Sequence, residues 1–338
     1  MKALIIGGTK FIGKHITKEL EDKNYQITFF NRGLISKNQN TLIGDIENIT
    51  SLKETILSYN FDLVIHCICN TEKNAQDIIE IFENTNTKLI ILSSQDCYHA
   101  FQELARGKNS VDYPINENSP LTDIKYYFSH INPLRAKYDK RLMENIFKEA
   151  FEIKKINFTI FRLPMVYGID DYQFAHRHGD IIRRILDKKE NYIMSYTKFH
   201  SIWTFLYVEN LAKGIVFSLD KNITNGKIYN LSEEKVRTWK LWSDLYSKIA
   251  NFNFNYKILP DEFLEEKKEL SNSEPIHIIT SSELFSKDTG YKEEIKIEDS
   301  IERTLFFASK NLELLPKIDY EKEESILNKY IKALNLIF

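Results

Sequence analysis

Apolar residues in the first half of the chain fall into short runs, separated by segments in which they recur at helical spacing. The predicted strands cover residues 3–6, 25–30, 63–68, 89–92 and 158–161, and the predicted helices include residues 11–20 and 135–151. Short apolar runs are typical of strands buried on both faces, and the wider spacing is typical of amphipathic helices. The alternation therefore predicts a parallel sheet covered by helices on both faces, an α/β fold.

The pattern becomes mixed after Pro164. The predicted elements there are helices over 180–186 and 208–219, a strand over 227–231 and a packed terminal helix over 320–336. Charges dominate residues 261–269, which favours a solvated helix face. Because no low-complexity linker is found, we expect the second part of the chain to grow out of the first. One domain would hold residues 1–165 and roughly 204–231, and a smaller mixed domain residues 166–203 and 232–338.

Composition narrows the class of protein without naming a function. The 338 residues are 43% hydrophobic and 28% charged, as in ordinary globular proteins. The net charge of −2 shows no excess of basic residues of the kind that binds nucleic acid, so we expect no nucleic-acid partner. Cys67, Cys69 and Cys97 are too few for a disulfide framework, and we expect buried thiols, not metal ligands. No ordered signal-peptide pattern and no run of ~18 apolar residues occurs, so we expect a cytoplasmic protein without a membrane role.

A glycine-rich turn joins the first predicted strand to the first predicted helix. Its sequence is Gly7-Gly8-Thr9-Lys10-Phe11-Ile12-Gly13. Gly7 permits a tight turn, and Gly13 lets the helix approach the strand closely. The N-terminus of the helix then offers free N–H groups and a positive dipole end to a pyrophosphate. The strand–turn–helix context favours a dinucleotide site over a turn without a ligand.

These residues resemble the extended short-chain dehydrogenase/reductase family, also called the NAD-dependent epimerase/dehydratase family, whose glycine motif has the form T-G-G-T-G-F-I-G. Lys10 stands at the middle glycine, which resembles an atypical branch related to the chloroplast stem-loop binding proteins. Further matches lie over 93–98, 162–168, 207–212, 226–230 and, near the end, 281–291 with 297–307. The resemblance implies a doubly wound parallel Rossmann sheet, a smaller mixed C-terminal substrate domain and an NAD(P)-dependent enzyme.

The resemblance also implies a set of cofactor-binding residues. Besides the glycine turn, the set comprises Asn31, Arg32, Asp45, Ile46, Ile68, Cys69, Lys140, Pro164 and Val166. An acid at the end of the second strand bonds the ribose 2′-hydroxyl of NAD, whereas a nearby Arg accommodates the 2′-phosphate of NADP. Neutral Asn31 does not repel a phosphate, Arg32 can pair with it, and Lys37 is a second candidate. We therefore expect NADP, with NAD as the alternative if Arg32 only stacks on adenine.

The family's chemistry needs a Ser or Thr, a Tyr, and a Lys four residues later whose charge lowers the pKa of the Tyr. Ser94 matches the serine, and Lys140, followed by Glu144 at the family spacing, matches the lysine. Ala136 stands four residues before Lys140, and the nearest tyrosine is Tyr138, two residues before it. Two residues on a regular helix differ by about 200° in direction, so Tyr138 would face away from Lys140. Either the helix starts late or distorted and Tyr138 reaches the site, or the tyrosine is absent.

If the family tyrosine is absent, other side chains could transfer the proton. Tyr126, Tyr127 and His130 lie just upstream, and Asp96 stands where the family's dehydratases carry the second residue of an acidic pair. A carboxylate there could remove a proton next to a carbonyl, although it could also only cap a turn. The candidate catalytic residues are thus Ser94, Asp96, Tyr138 and Lys140.

Substrates of open α/β sheets bind beyond the carboxyl ends of the strands. The candidates there are Tyr167, Gln173, His176, Arg177, Trp203 and Tyr207, with Tyr172 nearby. Aromatic groups with Arg suit a nucleotide base, a sugar and phosphates. We expect an epimerase, dehydratase or reductase acting on a sugar nucleotide or related polyhydroxylated molecule. A homodimer is compatible with the sequence. The alternative is a protein of the same fold that binds a dinucleotide but catalyses no reaction, and that has a regulatory or RNA-associated role.

Overall fold

The computed structural model describes residues 1–33, 40–105, 112–130, 135–154, 156–174, 177–264 and 275–335. The strands are β1 Lys2–Ile6, β2 Gln26–Asn31, β3 Thr41–Ile43, β4 Leu63–His66, β5 Lys88–Ser94, β6 Phe158–Leu163, β7 Met165–Tyr167, β8 Asn191–Ser195, β9 Ile202–Trp203, β10 Phe205–Tyr207, β11 Lys227–Asn230, β12 Asn255–Leu259 and β13 His277–Ile278. The helices are α1 Phe11–Asp22, α2 Lys53–Ser58, α3 Glu72–Phe82, α4 His99–Ala105, α5 Lys140–Lys154, α6 Gly179–Leu186, α7 Tyr196–His200, α8 Val208–Ser218, α9 Trp239–Ile249, α10 Glu283–Thr289, α11 Ile297–Lys310 and α12 Tyr320–Asn335.

Seven strands form one parallel sheet in the order β11-β6-β5-β4-β1-β2-β3. The chain starts in the middle and winds first toward β3 and later toward β11, so the strand order reverses between β1 and β4. In an open α/β sheet, a ligand binds at such a reversal, outside the carboxyl ends of the strands. The predicted doubly wound α/β fold is confirmed.

Both faces of the sheet are covered. One apolar cluster contains Ile16 and Leu20 of α1 with Leu211 of α8, and the other contains Ile78 of α3 with Phe147 of α5. Helix α1 packs against α8, and α3 packs against α5. No helix in the described part of the chain is long and apolar enough to span a membrane.

Helix α5 begins later than the pattern predicted. The prediction of a helix from residue 135 is wrong at its start, because the first helical residue is Lys140. Asp139 accepts a hydrogen bond from the Leu142 amide at 3.0 Å through its side chain, and its carbonyl accepts from the Met143 amide at 3.1 Å. These two contacts are those of a helix N-cap. Ala136 lies in an exposed turn before it.

The last helix packs less than expected. The terminal helix α12 contains no buried residue, and Ile331 and Leu334 are 44% and 37% exposed, so the expectation of a packed helix is wrong in degree. A half-buried face packs near β12, and Arg184 pairs with Glu323. In the charged segment, residues 261–263 form one 3₁₀ turn, while 265–274 lie outside the described residues. The division into two domains stays a prediction.

Candidate active site

The glycine turn after β1 brings a helix N-terminus close to the end of the sheet. Gly7 has a φ of +75°, which favours glycine, and a Cβ there would lie 2.7 Å from the Ile68 side chain. A Cβ on Gly13 would lie 2.2 Å from the Gly8 Cα, so only glycine permits this approach. Lys10 has φ −131° and ψ 159°, an extended conformation open to any residue. Replacing the family's middle glycine by lysine therefore causes no backbone strain.

A cleft of about 700 Å³ runs from this turn along the carboxyl ends of the central strands. Its lining is formed by Gly7, Thr9, Lys10, Phe11, Ile12, Gly13, Phe30, Asn31, Arg32, Gly44, Asp45, Ile46, Glu47, Cys67, Ile68, Leu92 and Tyr172. Among the described residues expected at the cofactor, five do not line it: Gly8, Cys69, Lys140, Pro164 and Val166. Cys69 and Val166 are buried, and Cys67, which the sequence reasoning did not place at the cofactor, takes part in the lining instead.

One end of the cleft lies at the end of β2. The side-chain oxygen of Asn31 accepts a hydrogen bond from the Gly33 amide at 2.7 Å. Its Nδ2 is buried and has no hydrogen-bond partner among the described residues. Arg32 is exposed beside it, and Asp45 caps the next turn by accepting from the Glu47 amide at 3.0 Å. Lys37 lies outside the described residues.

Toward the carboxyl end of β5, the structure brings Ser94, Asp96, Tyr138 and Lys140 together. The Tyr138 hydroxyl donates to Asp96 Oδ2 at 2.8 Å, and the Asp96 amide donates to Ser94 Oγ at 3.3 Å. Lys140 Nζ donates to the carbonyls of Cys69 at 2.7 Å and Leu92 at 2.8 Å. The same Nζ lies 5.9 Å from the centre of the Tyr138 ring. Tyr138 achieves this position because it precedes the helix.

The electrostatics of this group depart from the expectation of a tyrosine acidified by lysine. Burial, and then the charge of Asp96, raise the pKa of Tyr138 well above its ordinary value. Burial also raises the pKa of Asp96, although hydrogen bonds from Tyr138 and Ser94 oppose the rise. Burial lowers the pKa of Lys140. Asp96 Oδ1 is buried and has no hydrogen-bond partner within the described ranges. The charged group bonded to the Tyr138 hydroxyl is therefore the Asp96 carboxylate, not the Lys140 ammonium.

A buried polar network fixes helix α5 against the sheet behind these groups. Arg162 donates to both carboxylate oxygens of Glu144, with Nη2 at 2.7 Å from Oε2, and its Nη1 donates to the Tyr98 hydroxyl at 2.9 Å. Ser93 donates to Glu144 at 2.6 Å, and Tyr98 donates to Asn230 at 2.8 Å. Since Glu144 lies one helical turn after Lys140, this network holds the start of α5 in place.

The predicted substrate residues lie in different environments. Tyr167 and Tyr207 are buried in the core, where their hydroxyls donate to Glu233 at 2.9 Å and Glu209 at 2.7 Å, so the structure does not bring them to the cleft. Trp203 is half-buried beside a separate apolar cluster. His176 lies outside the described residues.

Other candidates border the glycine turn. Gln173 is exposed next to Arg177, whose guanidinium lies 5.7 Å from the Phe11 ring. Tyr172 is 53% exposed and lines the cleft, with Lys10 Nζ 5.7 Å from its ring. Of the remaining groups, the Tyr126 hydroxyl donates to Glu72 at 2.8 Å. The free Cys69 and Cys97 are buried, and Cys67 is half-buried.

Known proteins are similar to this chain in sequence or in fold. A sterol-4-alpha-carboxylate 3-dehydrogenase, decarboxylating, of Dictyostelium discoideum is 21% identical over 276 residues, which cover 72% of this chain and 75% of that protein. The solved UDP-glucose 4-epimerase of Thermotoga maritima, with UDP-glucose, has a TM-score of 0.69 at 17% identity, over 92% of this chain and 100% of its own. That of Bifidobacterium longum, in complex with NAD+ and UDP, has a TM-score of 0.64 at 17% identity, over 92% and 99%.

The solved structures share the fold, and the family is established by sequence. The model of the NAD dependent epimerase/dehydratase family matches residues 3–232, more than half of the chain. This match includes the glycine turn, the Ser94 strand and the Lys140 helix. The chain belongs to the NAD dependent epimerase/dehydratase family, and the prediction of an enzyme of this type is confirmed.

Proposed function

We propose that this enzyme uses NADP to oxidise and reduce a hydroxyl-bearing carbon of a sugar nucleotide or related polyhydroxylated molecule, in an epimerase, dehydratase or reductase reaction. The observation that carries the proposal is the hydrogen bond of 2.8 Å from the Tyr138 hydroxyl to Asp96, beside the buried ammonium of Lys140. Acid–base catalysis requires a side chain that can give or take a proton within hydrogen-bond reach of the reacting group.

The cleft fits a dinucleotide. The close approach of Gly8 and Gly13 leaves the first amides of α1 accessible to a pyrophosphate, and Lys10 adds a positive charge at the same edge. The Nζ of Lys140 has three N–H bonds, two of which go to the Cys69 and Leu92 carbonyls, so one remains for a ribose hydroxyl. When bound, nicotinamide would take a hydride from the substrate carbon or return it.

Preference for NADP is supported by the donors at the end of β2. Because the Asn31 oxygen is engaged with the Gly33 amide, its Nδ2 donor is the group left for a ligand. Arg32 makes no ion pair or hydrogen bond within the described part of the chain. Two donors, one of them cationic, suit a 2′-phosphate better than a 2′-hydroxyl, which needs an acceptor for its proton.

We assign the proton transfer to Tyr138 and Asp96 in series. In the oxidative direction, the substrate hydroxyl gives its proton to the Tyr138 oxygen while the Tyr138 proton passes to Asp96 Oδ2; reduction runs in reverse. Ser94 donates to the same substrate oxygen. A carboxyl whose pKa is raised by burial is a better proton acceptor near neutral pH than an ordinary Asp. Asp96 Oδ1, buried without a protein partner among the described residues, is available to a second substrate hydroxyl.

The substrate class can be tested directly. Purified protein with NADP+ or NAD+ would be offered UDP-glucose, a sterol bearing a 3-hydroxyl and a 4-carboxylate, and a simple 3-hydroxy acid. Absorbance of the reduced nicotinamide reports oxidation, and chromatography of the UDP-hexoses reports epimerisation. We expect turnover with UDP-glucose, and exclusive turnover of the sterol or the hydroxy acid would contradict the proposed class.

Two variants connect turnover to the site. Tyr138→Phe and Asp96→Asn should each lower the rate by ~10²–10⁴, as for a lost acid–base group, without weakening NADP+ binding. Tyr59→Phe is the matched control, because Tyr59 stacks on Phe61 away from the cleft. Tight NADP+ binding without turnover of any compound would favour the non-catalytic alternative.

The two-domain division, a homodimer and a cytoplasmic location remain parts of the proposal. Limited proteolysis, sedimentation and cell fractionation test these three points in turn.

A further inference from the structure

Asp139 separates the tyrosine of this site from the helix that carries the lysine. Its side chain accepts from the Leu142 amide at 3.0 Å, which is the N-cap contact with the third helical residue. Its carbonyl accepts the first intrahelical bond, from the Met143 amide at 3.1 Å. The helix therefore starts at Lys140, and Tyr138 lies before it.

This start decides which residue can reach Asp96. On a helix that continued upstream, positions 136 and 140 would share a face, and position 138 would point about 200° away from Lys140. In the structure, Ala136 lies in an exposed turn, while the hydroxyl of Tyr138 lies 2.8 Å from Asp96 Oδ2. A tyrosine two residues before the lysine thus reaches the carboxylate after β5, whereas the position four residues before it does not.

The cap is itself fixed in position. Asp139 is 5% exposed, its second carboxylate oxygen accepts from the Tyr126 amide at 3.1 Å, and its own amide donates to the Asn70 carbonyl at 3.1 Å. Lys140, the next residue, bonds the carbonyl of Cys69, which precedes Asn70. Both residues at the start of α5 are therefore bound to the turn that follows β4, so the helix cannot lengthen without breaking these contacts.

We propose that Asp139 is the positioning residue of this site: by making α5 begin at Lys140, it places the Tyr138 hydroxyl against Asp96. This inference rests on the proposed function only for its catalytic meaning, because the placement can be measured without a substrate.

The test uses 3-fluorotyrosine, incorporated at position 138 of the full chain and observed by fluorine NMR with NADP+ present. In the otherwise native chain, Asp96→Asn should shift the fluorine resonance, since it changes the charge beside the ring. Asp139→Ala removes both acceptor oxygens of the cap, and in that background the response to Asp96→Asn should be lost. Asp139→Asn retains one side-chain oxygen for the Leu142 amide and should restore the response. An equal response in the Ala and native backgrounds would overturn the proposal.

A second variant covers the case in which Asp139→Ala does not fold. With 3-fluorotyrosine at position 136 and Tyr138→Phe, the fluorine should not respond to Asp96→Asn, because position 136 is in the exposed turn. A response as large as that from position 138 would mean that the helix extends upstream, and the inference would fall.

Turnover separates this inference from the proposed function. If the fluorine results are as expected but Tyr138→Phe keeps full turnover, the placement stands and the catalytic assignment falls. If Tyr138→Phe abolishes turnover but the fluorine response is independent of Asp139, only the positioning role falls.

Discussion

Gly13→Ala should separate helix α1 from the glycine turn and weaken dinucleotide binding. The added Cβ would lie 2.2 Å from the Gly8 Cα and 2.6 Å from the Gly8 carbonyl carbon and oxygen. All three are backbone atoms, which cannot rotate away as a side chain can. Relief therefore requires the helix N-terminus to move by about 1 Å from the turn, since packed interiors contain no spare volume.

The expected size of the Gly13→Ala effect follows from two opposing contributions to the free energy of unfolding and one contribution to NADP+ binding. Overpacking costs about 1–3 kcal/mol, while Ala favours a helix over Gly by about 1 kcal/mol, so the free energy of unfolding should fall by about 0–2 kcal/mol. The free energy of NADP+ binding should fall by a larger amount. If the shift removes one hydrogen bond to the charged pyrophosphate, about 1.5–3 kcal/mol is lost, more than tenfold in Kd.

Calorimetric titration with NADP+ measures this loss, and thermal melting checks that the variant is folded. Gly214→Ala is the matched control: it lies in α8, and the nearest atoms to its Cβ would belong to the side chains of Tyr291 and Leu231, at 3.2 Å and 3.3 Å. We expect its Kd to match the native value. A folded Gly13→Ala protein with native affinity would show that the pyrophosphate is not bound at this turn.

Three further substitutions test other parts of the site. Arg32→Ala should weaken NADP+ binding more than tenfold, through loss of a charge-assisted pair, and NAD+ binding much less; equal losses in titrations of both would instead indicate stacking on adenine. Because burial raises the pKa of Asp96, folded protein holds that proton more tightly than unfolded protein, and stability falls as pH rises from about 4 through the raised pKa. Asp96→Asn should therefore have a higher Tm than the native protein at neutral pH, and the two Tm values should converge in acid. The same difference in Tm at both pH values would contradict the assignment. Glu144→Gln leaves the Arg162 charge buried and should cost about 3–5 kcal/mol in denaturant unfolding, against about 0.5 kcal/mol or less for the exposed control Asp220→Asn; equal costs would refute the buried-charge argument.

The sheet and the glycine turn could be predicted from the sequence because each depends on a local pattern. Apolar runs such as 63–68 and 89–92 locate strands, and Gly7 and Gly13 locate the turn whatever follows. The start of α5 could not be predicted from spacing alone, since apolar periodicity continues through 135–151. The signal that was available is Asp139, a favoured N-cap residue three positions before Leu142.

Tertiary contacts explain the remaining misses. Tyr167 and Tyr207 stand at strand ends, where ligands bind, yet their rings pack into the aromatic core and their hydroxyls bond the carboxylates of buried Glu233 and partly buried Glu209. Nothing in the local sequence distinguishes such a tyrosine from one at a cleft. Leu92 and Glu47 line the cleft only because the strands and the turn after β3 meet there.

The turn after β4 contacts both ends of the candidate site. Ile68 in this turn lines the cleft and lies where a Cβ on Gly7 would be, so it contacts the phosphate end. The next two carbonyls, of Cys69 and Asn70, accept from Lys140 and from the Asp139 amide at the reaction end. This turn therefore contacts both the glycine turn and the start of α5. The residues proposed to hold the cofactor and those proposed to position Tyr138 therefore share this turn, and the late start of α5 leaves Tyr138, not residue 136, beside Asp96.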